Sequence, residues 1–278
     1  MTTLALPAPP RTTAERLRWA FADGVTIVVR NLNHLRRAPG QLIAELIFPI
    51  IMVLLFGYVF GSAIHVPGGG NYREFLMPGL FAMTAVSSVA ATGQIIAGDV
   101  QRGVMDRFRS MPMARSAVAF GQTGVDIITG TLGLVCMALC GLVVGWRVHT
   151  GLLHGLAGFG LLILLRYAIS WVGVYMGLSV KNEETADRLG MLFMPISMLA
   201  NTFVPTGGMP GWLRFISDWN PVSALVAASR KLFGNPGAPT ANSALPLQHA
   251  VLTTILWSAL ILAVFVPLSV RRFYNSTR

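Results

Sequence analysis

Charge is scarce in this chain. Asp, Glu, Lys and Arg make up 12% of its 278 residues, about half of the roughly 25% found in soluble domains, which argues against a water-soluble fold. Lysine is rarer still. Its two occurrences, Lys181 and Lys231, are followed by Asn182 and Leu232. The G-x-x-x-x-G-K-[ST] loop that cradles nucleotide phosphates therefore cannot be present, and the chain hydrolyses no nucleotide by that route. The histidines His34, His65, His149, His154 and His249 form no H-E-x-x-H motif, and no serine stands in G-x-S-x-G. Metalloprotease and nucleophile-elbow hydrolase readings lose their usual support. The two cysteines, Cys136 and Cys140, lie one helical turn apart inside an apolar run. They read as small hydrophobes and say nothing about redox compartment. No metal site and no cofactor on this chain is expected. The first residues also lack the apolar core and small-residue cleavage site of a secretory signal, so the N-terminus is expected to be retained, with residues 1–10 as a disordered tail.

Apolar residues are what the chain has in quantity: 54% are hydrophobic, with a mean hydropathy of +0.62. A helix crosses the hydrocarbon core with about 20 mainly apolar residues. Six stretches qualify: 41–64, 75–97, 118–146, 152–179, 188–206 and 249–270. The fifth is interrupted by Pro195 and Asn201, which leaves it open to tilting, kinking or dipping back. The expected fold is thus all-α integral membrane, one six-span domain over 41–270 with a tail at 271–278. Ahead of it, within 11–40, Leu17, Phe21, Val25, Val28, Leu32 and Leu35 advance by fours and threes while Arg16, Asp23, Arg30 and Arg37 recur every seven. That is the period of a helix with an apolar stripe and a charged face, suited to lying in the headgroup plane.

Basic residues collect on the cytoplasmic side of membrane proteins. Placing the N-terminus inside puts fifteen of the 21 lysines and arginines there and five outside, with Arg166 within a span. Both termini are expected in the cytoplasm, with the chain in the inner (cytoplasmic) membrane. Topology and attraction to anionic lipid account for the basic surplus, so no nucleic-acid partner is implied. Two connections are longer than turns. Residues 98–117 are charged and repeat apolar residues helically at Val100, Val104, Phe108 and Met111, whereas the external stretch 205–248 holds Pro205, Pro210, Pro221, Pro236, Pro239 and Pro246 around Val222–Ala228. That short apolar piece cannot span a bilayer, so a re-entrant or surface-lying helix is expected, anchored by Trp212 and Trp219 at headgroup level.

Ionisable residues within spans are functional candidates because burying them in lipid costs several kcal/mol. Here they are Glu45, Asp126 and Arg166. Arg166 should lie about 9 Å nearer the outside than Asp126, at about 1.5 Å per residue, so a direct pair would be strained. Arg166 is expected to anchor helix packing or to face a wet cavity. Three G-x-x-x-G pairs, Gly57/Gly61, Gly141/Gly145 and Gly173/Gly177, permit close helix approach. Span two carries Thr84, Ser87, Ser88, Thr92 and Gln94, and span five Met191, Met194, Met198 and Asn201. Hydroxyls and thioethers suit an amphipathic, apolar cargo, although small polar residues also join helices.

Three segments together resemble the daunorubicin-resistance branch of the ABC type 2 transporter permeases. The first runs from Asp99 through Gly103 to Asp106-Arg107-Phe108-Arg109-Ser110-Met111-Pro112-Met113. The second is Gly177-Leu178-Ser179-Val180-Lys181-Asn182-Glu183-Glu184-Thr185-Ala186. The third is Phe203-Val204-Pro205, then Met209-Pro210-Gly211-Trp212-Leu213 and Asn220-Pro221-Val222-Ser223, with Arg230 beyond. Where relatives often read Arg-Asp-Pro-Glu-like after span four, this chain has Lys181-Asn182-Glu183-Glu184. The resemblance implies two permease chains, as a homodimer or heterodimer, working with two ATPase subunits that hold ATP and Mg. It also implies that the segment between spans two and three is a coupling helix docking in the ATPase. The residue types agree: Arg102, Asp106, Arg107 and Arg109 offer charge-assisted bonds, Val104 and Phe108 offer apolar anchors, and Asp99, Gly103 and Pro112 complete the segment. The function expected is export of a lipophilic drug or lipid. The alternatives are export of a lipid-linked glycan or polysaccharide on the same fold, or an ion-coupled secondary transporter.

Overall fold

The computed structural model describes residues 18, 22, 24–30, 40, 47, 50–60, 69–105, 117–203 and 208–275, and all regular structure among them is helical. In chain order these helices are α1 at 24–30, α2 at Ile50–Val59, α3 at Tyr72–Gln101, α4 at Ala117–Val144 and α5 at Leu152–Ser179. They continue as α6 at Glu183–Met191, α7 at Phe193–Met198, α8 at Gly211–Asp218, α9 at Pro221–Phe233, α10 at Leu245–Gln248 and α11 at Ala250–Asn275. The second half of α2, Leu55–Phe60, is wound as a π-helix. Among the described residues, four helices are long and apolar enough to cross a membrane: α3, α4, α5 and α11. They coincide with the expected spans 75–97, 118–146, 152–179 and 249–270. Half of the expected span 41–64, including Glu45, lies outside the described residues.

The fifth expected span is not one helix. Residues 188–198 fall in α6 and α7, with Leu192 between them, turns and bends follow over 199–203, and 204–206 lie outside the described residues. A proline at 195 has no N–H for the helix ladder, which favours a break just ahead of it. The segment after span two is also divided differently from the expectation. Asp99 belongs to α3, which runs on to Gln101 and stops where Arg102 donates its N–H to the Gly98 carbonyl and Gly103 takes φ +66°. That left-handed conformation after a last helical turn is a glycine stop signal.

Helix α3 is the central post, packed most extensively on α5 and also touched by α2, α4, α6, α7 and α9. Its contact with α5 is backbone to backbone. A Cβ on Gly173 would lie 2.7 Å from the Val89 carbonyl oxygen, and one on Gly177 would lie 2.6 Å from that of Gly93. The expected close approach at that glycine pair is present. Gly145 differs: it sits beyond the end of α4 at φ +106° with no neighbour, a turn residue and not a packing one. One apolar cluster fills the half of the bundle around Phe81, Trp146, Phe159 and Phe233, whose ring centroids lie 5.2–6.4 Å apart. A second, around Ile27, Ile96, Trp171 and Phe273, fills the other end.

Helix α9 starts with Asn220 as N-cap and Pro221 in the first turn, and stops at Gly234 with φ +70°. It is buried against α3, α5 and α11. Its Arg230 is fully buried. The guanidinium stacks 3.6 Å from the Phe75 ring and donates to the carbonyls of Phe75 and Thr202. Burial pulls its pKa down to about 9, with Tyr72 acting in the opposite sense, so it stays charged at neutral pH. In α8, Trp212, Phe215, Ile216 and Trp219 form an exposed apolar stripe, while Ser217 and Asp218 face inward. In α1, Ile27 is buried, Val28 half-buried and Val25 exposed. Ile27 and Val28 fit the notches that Gly121 and Gly124 leave on α4.

Candidate functional site

The bundle holds a cavity of about 240 Å³. Helix α3 supplies Leu80, Met83, Thr84, Val86, Ser87 and Ala90; the facing wall is Gly190, Met191, Phe193, Met194 and Ser197 from the broken α6–α7 element, with Met52 and Met137 closing the sides. Positions 80, 83, 84, 87 and 90 recur at helical spacing, so one face of α3 makes the wall. The break at Leu192 lets the second wall bend around the space. Five methionines line it, and thioether side chains reshape easily around apolar ligands. Its two α3 hydroxyls are turned back on their own helix, Thr84 donating to the Phe81 carbonyl at 2.7 Å and Ser87 to the Thr84 carbonyl at 2.8 Å.

The eight residues expected along a cargo pathway divide. Thr84, Ser87, Met191 and Met194 line the cavity. Ser88 and Thr92 are fully buried on another side of α3, where Ser88 meets the Arg166 carbonyl at 3.4 Å. Met198 is exposed outside the cavity, and the Asn201 N–H donates to Ser223 on α9. Met52, Met83, Met137 and Phe193 are lining residues that the sequence reasoning missed. Met83 and Ala90 were legible in principle, since they share the helical stripe of Thr84 and Ser87.

Behind the cavity wall stands an ion pair. Arg166 on α5 is 3% and Asp126 on α4 5% exposed. The guanidinium donates from Nη2 to Asp126 Oδ1 at 2.7 Å and from Nε to Oδ2 at 3.0 Å, a bidentate pair, and Nη1 donates to the Thr84 carbonyl at 2.6 Å. The direct pair therefore forms without the strain expected from the offset. The long arginine side chain covers the axial distance, and Gly130 leaves the room it needs: a Cβ there would overlap the guanidinium. Arg166 thus ties α3, α4 and α5 together at the residue that shapes the cavity.

At the far end of α3, charges alternate across three elements. Arg30 of α1 lies 3.9 Å from Asp99, Asp99 lies 3.5 Å from Arg102, and Arg102 donates to Glu183 of α6 at 2.9 Å. Gly103 and Val104 follow, half-buried. Asp106, Arg107, Phe108, Arg109 and Pro112 lie outside the described residues, as does Pro205. Of the other residues expected on the external side, Pro210 and Trp212 are exposed, whereas Asn220 is buried and donates to the Ile196 carbonyl at 2.7 Å.

Residues 24–233, well over half of the chain, match the ABC-2 type transporter family. The chain belongs to that family. This ABC-2 permease is 31% identical over 259 residues to the daunorubicin resistance ABC transporter permease protein DrrB1 of Streptomyces coeruleorubidus, covering 90% of this chain and 88% of that protein. It is 29% identical over 234 residues to the doxorubicin resistance ABC transporter permease protein DrrB of Mycobacterium tuberculosis, covering 81% and 80%. The putative transport permease ycf38 of Cyanophora paradoxa is more distant, at 23% over 220 residues, 77% and 76% of the two chains. The permease therefore stands in the daunorubicin/doxorubicin-resistance-like branch, as its three segments implied. It is a multi-pass membrane protein and the transport component of an ABC system, not a catalyst in itself.

Proposed function

We propose that this permease is the transmembrane subunit of an exporter moving a lipophilic drug or lipid out of the cytoplasm or inner leaflet, powered by a separate ATPase subunit. The observation that carries the reading is the cavity wall: methionine, leucine, valine and phenylalanine, with hydroxyls already engaged by their own helix. A glycan needs many outward donors and acceptors, and this wall offers few, which favours the lipophilic cargo over the polysaccharide. Thr84, Ser87, Met191 and Met194 are assigned to the cargo path. The ion-coupled alternative is disfavoured because both Asp126 carboxylate oxygens are held by Arg166.

In this reading the chain makes six passes in the inner membrane with both termini in the cytoplasm, and it pairs with a second permease chain. The segment from Asp99 through Arg102, Gly103, Val104, Asp106, Arg107, Phe108 and Arg109 to Pro112 docks on the ATPase, which holds ATP and Mg. The family membership and the two drug-resistance relatives support it. The test is reconstitution in liposomes with and without its partner ATPase subunit. ATP-driven accumulation of daunorubicin, absent for the permease alone, is expected; uphill movement without any nucleotide-hydrolysing partner would overturn the reading.

A further inference from the structure

Helix α6 is short, polar and acidic at its start, yet it packs on α3 more extensively than every other helix except α5. Three contacts at regular spacing make that packing. Gly98, Gln94 and Ala90 follow one stripe of α3 in steps of four. Glu183, Asp187 and Gly190 follow one stripe of α6, running the other way. At the first rung, the Glu183 carboxylate fills the space above Gly98 that a Cβ would occupy, and it accepts from Arg102 at 2.9 Å. At the second, the Gln94 amide donates to the Asp187 carboxylate. At the third, Gly190 lies so close to α3 that a Cβ there would come 2.5 Å from the Cβ of Ala90. The third rung is itself cavity wall, since Ala90, Gly190 and the adjacent Met191 all line it. The first rung adjoins the segment assigned above to ATPase docking.

We infer that α6 is a strut clamped to α3, carrying displacement of the docking segment to the cavity, with the break at Leu192 as its hinge. Exposed charge pairs are individually weak, so the device works through register: two glycine notches and one amide–carboxylate bond stop the helices from sliding past each other. When the end of α3 moves, Met191 moves with it. Gln94 and Asp187 are then positioning residues, acting on the cavity through Gly190 and Met191. The inference rests on the docking reading of the segment after Gln101, but it is separable from it by experiment.

The experiment uses the full chain co-purified with its ATPase subunit in lipid nanodiscs. Cys136 and Cys140 are replaced by alanine, and an environment-sensitive fluorophore is placed on Met191→Cys. Addition of ATP with vanadate is expected to shift the emission. Asp187→Leu should reduce that shift at least about fivefold while ATPase co-purification stays at its original level. The swapped pair Gln94→Asp with Asp187→Gln should restore it, because the amide and carboxylate again face each other. Gly190→Ala, which pries α3 from α6 at the cavity end, should lower the shift with the Glu183 contact intact. A full shift in Asp187→Leu, or no recovery in the swapped pair, overturns the strut. If Asp187→Leu fails to accumulate, Asp187→Asn serves, and an undiminished shift there counts equally against it. Failure of the parent chain to retain the ATPase would instead defeat the docking reading.

Discussion

Replacing Arg166 by leucine tests whether the pair behind the cavity wall holds the bundle together. Two unit charges about 4 Å apart attract by about 4 kcal/mol at an effective dielectric constant of about 20. Stripping both ions of water costs several kcal/mol each, so the intact pair contributes little net stability, but removing one partner strands the other and costs about 3–5 kcal/mol. Arg166→Leu takes the bidentate cationic partner from the Asp126 carboxylate, 5% exposed, and leaves the Thr84 carbonyl with Ser87 as its side-chain donor. Asp126→Asn strands the guanidinium. The expected losses are about 3–5 kcal/mol for Arg166→Leu and somewhat less for Asp126→Asn, whose amide keeps one acceptor. The double change to leucine at both sites should fall within about 1–2 kcal/mol of the parent, because neither buried charge is then left without the other. Unfolding in mixed micelles of rising SDS fraction, followed by tryptophan fluorescence, measures all three. A loss below about 1 kcal/mol in Arg166→Leu, or a double variant as unstable as the sum of the singles, would refute the reasoning. Transport by Arg166→Leu should drop as well, since Thr84 shapes the cavity.

Ser87→Trp places an indole in the cavity of about 240 Å³ and should weaken daunorubicin stimulation of the complex's ATPase at least about tenfold, equivalent to about 1.4 kcal/mol of binding; a stimulation curve matching the parent would move the cargo path elsewhere. Phe108→Asp should abolish co-purification of the ATPase while membrane insertion, followed by fractionation, is unchanged; retained association would count against docking there. Asn235→Leu removes the acceptor 2.8 Å from the buried Trp146 Nε1 and should cost about 1–3 kcal/mol in thermal unfolding, the penalty of a stranded buried donor; a melting temperature at the parent value would contradict it.

How much of this was legible in the residues differs from place to place. The spans at α3, α4, α5 and α11 could be read because each is a long apolar run, and apolar length is what a bilayer selects. The pairing of Asp126 with Arg166 was half legible. Counting along straight helices ignores side-chain reach, and the opening at Gly130 exists only once α4 and α5 are packed. At the N-terminus, Val25, Ile27, Val28 and Val29 are all apolar, so periodicity alone does not choose which of them turns inward. The notches at Gly121 and Gly124 on a distant helix make that choice. The cavity divided the same way: its α3 face follows helical spacing, whereas its other wall depends on the turn after Met191, which hydropathy alone does not locate.

The backbone contact at Gly173 and Gly177 has a mechanical consequence. Where two helices meet through side chains, rotamer changes let one slip past the other like gears with play. Here the main chains of α3 and α5 meet, and the Arg166 guanidinium bolts those two helices to α4. This trio can tip only as a single plank. On the exporter reading proposed above, the trio tips whole when the passage opens, with sliding confined to the seams where apolar side chains lie outermost.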